Sequence, residues 1–183
     1  MKKVILSVFS LVVLSNLSAQ KFFSKDAKIY FSASSSMEKI EATNNKGTLV
    51  IDAASSKLEA AVLVKGFHFE KALMEEHFNE NYMESGKFAK ATFAGEITDM
   101  KTVNMAKDGD YKVNVKGKMT MHGVTKDVTT TATISVKGGA IAAGKTSFKI
   151  LVSDYAIPIP SVVKDKIAKE AKIDVEAILQ KMK

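Results

Sequence analysis

Between Tyr111 and Met121 the chain alternates without a slip. Tyr111, Val113, Val115, Met119 and Met121 fall on one side and Lys112, Asn114, Lys116, Lys118 and Thr120 on the other, with Gly117 on the apolar side. Successive side chains of a strand point to opposite faces, so this pattern buries one face and wets the other; on a helix the same residues would be scattered round the whole surface. It therefore commits the chain to a sheet with one solvated side. The period returns in Ala91, Phe93, Gly95 and Ile97, in Val128 to Val136, and in Phe148, Ile150 and Val152. Between these runs stand pairs with turn chemistry, Asp108-Gly109, His122-Gly123 and Gly138-Gly139, which mark hairpins.

The earlier part of the chain fits the same scheme. Residues 27–35 read as a first strand with Ile29 and Phe31 on one face, and 37–42 continues the sheet. Asn44-Asn45-Lys46-Gly47 predicts a hairpin turn, since Asn and Gly tolerate positive φ. Residues 48–53 supply Leu49 and Ile51, and 57–69 predicts one long strand, apolar on both faces near Ala61 to Val64. Gly144, inside the strand 140–153, marks a bulge or a bend.

Two stretches break the period. Leu73, Met74, His77, Phe78 and Tyr82 recur at three- and four-residue spacing with Glu75, Glu76, Asn79 and Glu80 between them, which predicts a short helix near 71–83 with one apolar stripe. It is inserted between Phe67 and Phe69 on one side and Phe93 on the other, and could close one end of a barrel. Pro158 and Pro160 end the strand pattern, and Ser161 caps a second expected helix near 161–171 carrying Val163, Ile167 and Ala171. Residues 172–179 fit a strand by alternation and a helix by propensity; we take the strand, because a sheet of about eight strands needs a last one to close.

Residues 1–19 read as a secretory signal peptide: Lys2 and Lys3, then the apolar run Val4 to Leu14, then Leu17-Ser18-Ala19. Residues 20–183 are then a single exported domain. Cysteine is absent, which removes disulfides, thiol chemistry and thiolate metal ligands. The formal charge is +7, and every basic residue apart from histidine is Lys. Without Arg the chain lacks the side chain suited to bidentate reading of guanine or phosphate, so nucleic acid is not an expected partner.

Several of these pieces resemble the YceI-like family of bacterial lipid- and polyisoprenoid-binding proteins. They are the leader, Phe67 to Met83 followed by Lys87-Phe-Ala-Lys-Ala-Thr-Phe93, Gly117-Lys-Met-Thr-Met-His-Gly-Val-Thr-Lys126, Phe148 to Tyr155, and Ile159 to Glu170. Ala89 departs from the resemblance, which has proline there. The resemblance implies an all-β fold, an eight-stranded antiparallel lipocalin-like barrel with an elongated apolar interior, into which the two short helices are inserted.

A small barrel can hold one ligand when its own side chains do not fill it. The candidate lining is Phe67, Phe69, Phe78, Tyr82, Phe88, Phe93, Met119, Met121, Phe148, Ile150 and Tyr155. Eight methionines beyond Met1 add adaptable surface. The expected ligand is a polyisoprenoid, an isoprenoid quinone or a fatty-acyl lipid; transient contact with a membrane surface and a homodimer stay open. The other reading is a packed barrel serving as an exported stress or interaction protein. His77, His122, Tyr82 and Tyr155 are placed near the mouth. No cofactor, no metal and no catalytic residue is expected, because there is no HExxH spacing, nucleophile turn or phosphate-cradling glycine loop.

Overall fold

The computed structural model describes residues 20–182; the expected leader, 1–19, lies outside the described residues. The strands are β1 (Lys21–Ser34), β2 (Glu41–Asp52), β3 (Lys57–Leu63), β4 (His68–Phe69), β5 (Lys90–Ile97), β6 (Gly109–Met121), β7 (Val124–Lys137), β8 (Ala140–Leu151), β9 (Ile167–Ile178) and β10 (Gln180–Lys181), with helix α1 (Ala72–His77) between β4 and β5. They form one sheet in the order β10-β1-β9-β8-β7-β6-β5-β3-β2-β4, and β1 also pairs with β2. Setting aside the two-residue strands β4 and β10, eight antiparallel strands close into a barrel. His122 and Gly123, with φ of 50° and 74°, make the tight β6–β7 hairpin, and Gly138 and Gly139 the β7–β8 one; both turns need the left-handed backbone that matches the twist of the strands.

The two ends of the barrel differ. At one end Phe22, Ile51, Ile97, Val113, Ile134 and Ile141 pack into a continuous cluster, and the β5–β6 connection tucks Met100 and Val103 under it. The Asp99 carboxylate anchors that connection by accepting the backbone N–H of Asn114 at 2.7 Å and its side-chain amide at 2.8 Å. This end is a floor. At the other end lie the β1–β2 turn, the segment 64–89, the β6–β7 hairpin and the long connection 152–166.

Three expectations are corrected. The second helix, 161–171, is absent: only Ser161–Val163 makes a single 3-10 turn, and β9 already runs from Ile167. Pairing on both sides, with β8 through Leu151↔Glu170 and with β1 through Ser34↔Ile167, outweighs the local helical preference of this lysine- and alanine-rich stretch. Residues 44–47 are not a hairpin turn. β2 runs through them, and its register against β1 shifts at Ala27, because buried Asn44 bonds back onto the Lys46 N–H at 2.8 Å inside the strand. The hairpin lies at 35–40, where the Ser35 hydroxyl accepts the N–H groups of Met37 and Glu38. The long strand 57–69 breaks at a 3-10 turn, Val64–Gly66, which sends Phe67 inward and lets β4 pair back onto β2 at Ala42↔Phe69.

Candidate ligand-binding cavity

Above the floor the barrel is hollow. A cavity of about 600 Å³ runs from the level of Ile51, Ile97 and Val113 to the ring formed by the β1–β2 turn, α1 and the 152–166 connection. That volume lies within the range of small-molecule pockets. The hollowness has a local cause. Several inward positions around the lower wall carry small residues, Ala60 on β3, Gly95 on β5, Gly117 on β6, Ala132 on β7 and Gly144 on β8, so opposing side chains do not meet across the axis.

Aromatic rings build the upper wall on the helix side. Phe31 on β1 stacks on Phe78 at 5.3 Å between ring centroids and meets Phe67 and Phe69 edge-on at 5.5 and 5.7 Å; Phe78 contacts Phe67 at 5.8 Å and Phe69 at 5.0 Å. Such pairs contribute about 0.5–1.5 kcal/mol each beyond simple burial. After α1 the coil widens into a π-turn, Phe78–Tyr82, closed by Met83 N–H to Phe78 O at 2.8 Å, and both Phe78 and Tyr82 line the cavity. The Glu75 carboxylate holds helix to sheet by accepting the Phe69 N–H at 3.1 Å, with the His68 ring at 3.5 Å.

Nine of the eleven expected lining residues face this space: Phe67, Phe69, Phe78, Tyr82, Phe93, Met119, Met121, Phe148 and Ile150. The other two do not. Phe88 packs edge-on against the His122 ring at 4.7 Å, because the chain turns at Glu84 (φ 43°) before reaching β5. Tyr155 is buried in the upper core beside the cavity, where burial, and next the charge of Asp154, push its phenol up from the ordinary tyrosine range. Phe31, Leu73, Met74, Ile157 and Ile159 also line the cavity and were not anticipated. The alternation of Ile29 with Phe31 carried the signal for β1, whereas Ile157 and Ile159 are lining only because the long connection folds back over the barrel.

The histidines sit in three separate places. His77 lies exposed on the mouth, His68 points outward beside Glu75, and His122 is buried. His122, placed near the mouth by its sequence, is instead a bridge. Its Nδ1 donates to Tyr155 O at 3.0 Å and its Nε2 lies 2.8 Å from Glu84 Oε2. The Tyr155 carbonyl can only accept, which fixes the proton of that contact on Nδ1.

This bridge matters because the wall is incomplete there. β6 and β7 stay paired up to Met121↔Val124, but the β7–β8 register ends at Ala132↔Thr146. Above that level the two strands part, joined by Thr146 Oγ1 donating to Thr131 O at 2.8 Å and by Thr130 Oγ1 contacts of 3.4 Å to Thr146 and Ser147. The 3-10 turn Val152–Tyr155 fills the wedge, with Val152 and Tyr155 buried.

At the mouth the polar lining is Glu38, Lys71, His77 and Lys166. Lys71 Nζ donates to Glu38 Oε1 at 2.9 Å, tying the start of α1 to the β1–β2 turn. The Lys71 hydrogen bond and charge hold the Glu38 carboxyl below the usual glutamate range, and Glu38 raises Lys71 in return.

The architecture and the sequence relate this chain to known proteins. It is 32% identical over 96 residues to a UPF0312 protein of Pseudomonas fluorescens, covering 50% of this chain and 48% of that protein. It is 30% identical over 112 residues to a UPF0312 protein of Vibrio vulnificus, covering 58% and 56%. The chain thus spans about half the length of the curated relatives it matches. Among solved structures, a polyisoprenoid binding domain from Saccharophagus degradans superposes with a TM-score of 0.74 at 11% identity, covering 90% of this chain and 99% of that one. BcnA of Burkholderia cenocepacia superposes with a TM-score of 0.66 at 17% identity, covering 84% and 96%. At such identities the likeness is one of fold. The sequence itself matches the YceI-like domain across residues 21–179, and with the closed eight-stranded barrel it places the chain in the YceI-like family.

Proposed function

We propose that this protein is a periplasmic carrier that binds one elongated apolar molecule, a polyisoprenoid, an isoprenoid quinone or a fatty-acyl lipid, inside its barrel. The observation that carries this reading is the apolar cavity of about 600 Å³, floored at one end and ringed at the other by α1 and two connections. A packed barrel would have no such space. The similar domain from Saccharophagus degradans, which binds a polyisoprenoid, supports the ligand class, and the leader-like residues 1–19 support export.

Binding here works by burial, not by reaction. Each methylene taken from water contributes about 0.8 kcal/mol, so a chain of a dozen carbons is held without a strong polar contact. The mouth then has little to do beyond admitting the tail and leaving the headgroup in water. Native mass spectrometry of protein purified from cells, followed by organic extraction, tests the proposal. We expect a co-purifying lipid of one main class, and uptake of isoprenoid or acyl chains by the delipidated protein; a protein that carries none and takes up none refutes it.

A further inference from the structure

Gly95 and Gly117 face each other across β5 and β6 on the inward side of the wall. A Cβ built on Gly117 would stand 2.6 Å from Phe93 Cζ, and one on Gly95 would stand 2.8 Å from Phe93 Cε1. The Phe93 ring therefore occupies the volume that two side chains would otherwise fill. It lies down along the wall, packed over bare backbone, instead of standing across the axis. Its direct neighbour on β3 is Ala60, which is also small. Beyond the ring, toward the floor, the next inward pair, Ile97 and Val115, still lines the cavity. Phe93 also contacts both the floor cluster and the upper cluster, so it stands at the boundary between the mouth half of the cavity and its lower chamber.

We propose that Phe93, laid into the notch made by Gly95 and Gly117, is the gauge of the site. Its position decides whether the end of an extended chain reaches the floor, and hence the length and thickness of chain the barrel prefers. The proposal rests on the carrier reading above. The close approach of the two strand backbones already requires the glycines, since a Cβ at Gly95 or Gly117 would first meet Lys116 O or Ala94 O; the ring lies in the notch this approach leaves, and any side chain there would also drive it into the lumen. The lower chamber would then be closed to the ligand, and each excluded methylene would weaken binding about fourfold.

The test uses straight-chain alcohols from octanol to eicosanol, and phytanol as a branched probe, titrated into delipidated protein and read by native mass spectrometry. In the natural protein affinity should climb with chain length and then level off. In Phe93→Trp, whose ring is too large for the notch, it should level off at a shorter homologue. In Phe93→Ala the lower chamber widens, and phytanol should gain on hexadecanol by about fifteenfold, the equivalent of two buried methylenes. Gly117→Ala should mimic Phe93→Trp, but its Cβ would also approach Ala94 O; should that variant not fold, the Phe93 pair decides. A plateau unmoved in Phe93→Trp together with an unchanged phytanol preference in Phe93→Ala overturns the gauge while leaving the carrier intact. A natural protein that binds none of the alcohols overturns both.

Discussion

Asn44 is wholly buried and uses both ends of its amide within the fold: Oδ1 accepts the Lys46 N–H and Nδ2 donates to Leu63 O at 2.9 Å. The second bond fixes the point where β3 stops and the chain turns toward Phe67, so one polar side chain helps aim an aromatic one. Asn44→Ala strands the Leu63 carbonyl and should cost about 1–3 kcal/mol, seen as a lower urea midpoint at an unchanged slope. His122 is the other polar residue whose work could not be read locally. A histidine before glycine is ordinary turn sequence, and only the fold brings Glu84 and Tyr155 to its two nitrogens. His122→Asn keeps a residue that tolerates positive φ but cannot span both partners. We expect a loss of about 1–3 kcal/mol and faster amide exchange across 152–156, with the rest of β6 and β7 unaffected.

The elements show where local sequence suffices and where it fails. β5 and β6 were legible almost to the residue, because strict alternation has one structural solution and their neighbours agree with it. The helix at 71–83 was legible by its stripe, although its last turn is a π-turn that spacing alone does not distinguish. Residues 161–171 misled because Val163, Ile167 and Ala171 recur every fourth position, yet β8 and β1 offer two rows of backbone partners that no local pattern reveals. Asn44–Gly47 misled for the complementary reason: turn-forming residues also serve a bulge. Of the site, the side chains on strand faces were legible and the contribution of the 152–166 connection was not, since its arrival over the cavity depends on the closed barrel. The latch between α1 and the β1–β2 turn makes its own prediction. Glu38 is depressed in the folded protein, so the stability it adds is present above its unfolded value and is lost as pH falls through the folded one. Bound chain should leave faster as pH drops below the usual carboxylate range, and Glu38→Gln should release it faster already at pH 7. Off-rates equal in both proteins and flat across that range contradict a latch.

At the scale of the whole molecule the barrel divides its labour between a packed floor and an open upper half. Truncation should report the division. Ile141→Ala removes part of a filled core and should cost about 2–5 kcal/mol, whereas Met121→Ala or Phe148→Ala removes surface that already borders empty space and should cost distinctly less. The order should invert for ligand affinity, with Met121→Ala and Phe148→Ala losing more than Ile141→Ala; paired urea melts and lipid titrations would check both. The parted upper seam between β7 and β8 has a consequence of another kind. Beyond Ala132 and Thr146 the two strands share no backbone ladder and are joined by threonine hydroxyls, which makes this closed barrel the owner of a latent sheet edge, shielded by the turn Val152–Tyr155. Such edges recruit strands from other chains. Tyr155→Ala, by loosening the shield, should yield concentration-dependent assemblies in light scattering while circular dichroism still reports native strand content, so the segment that walls the cavity is also the cover of that edge.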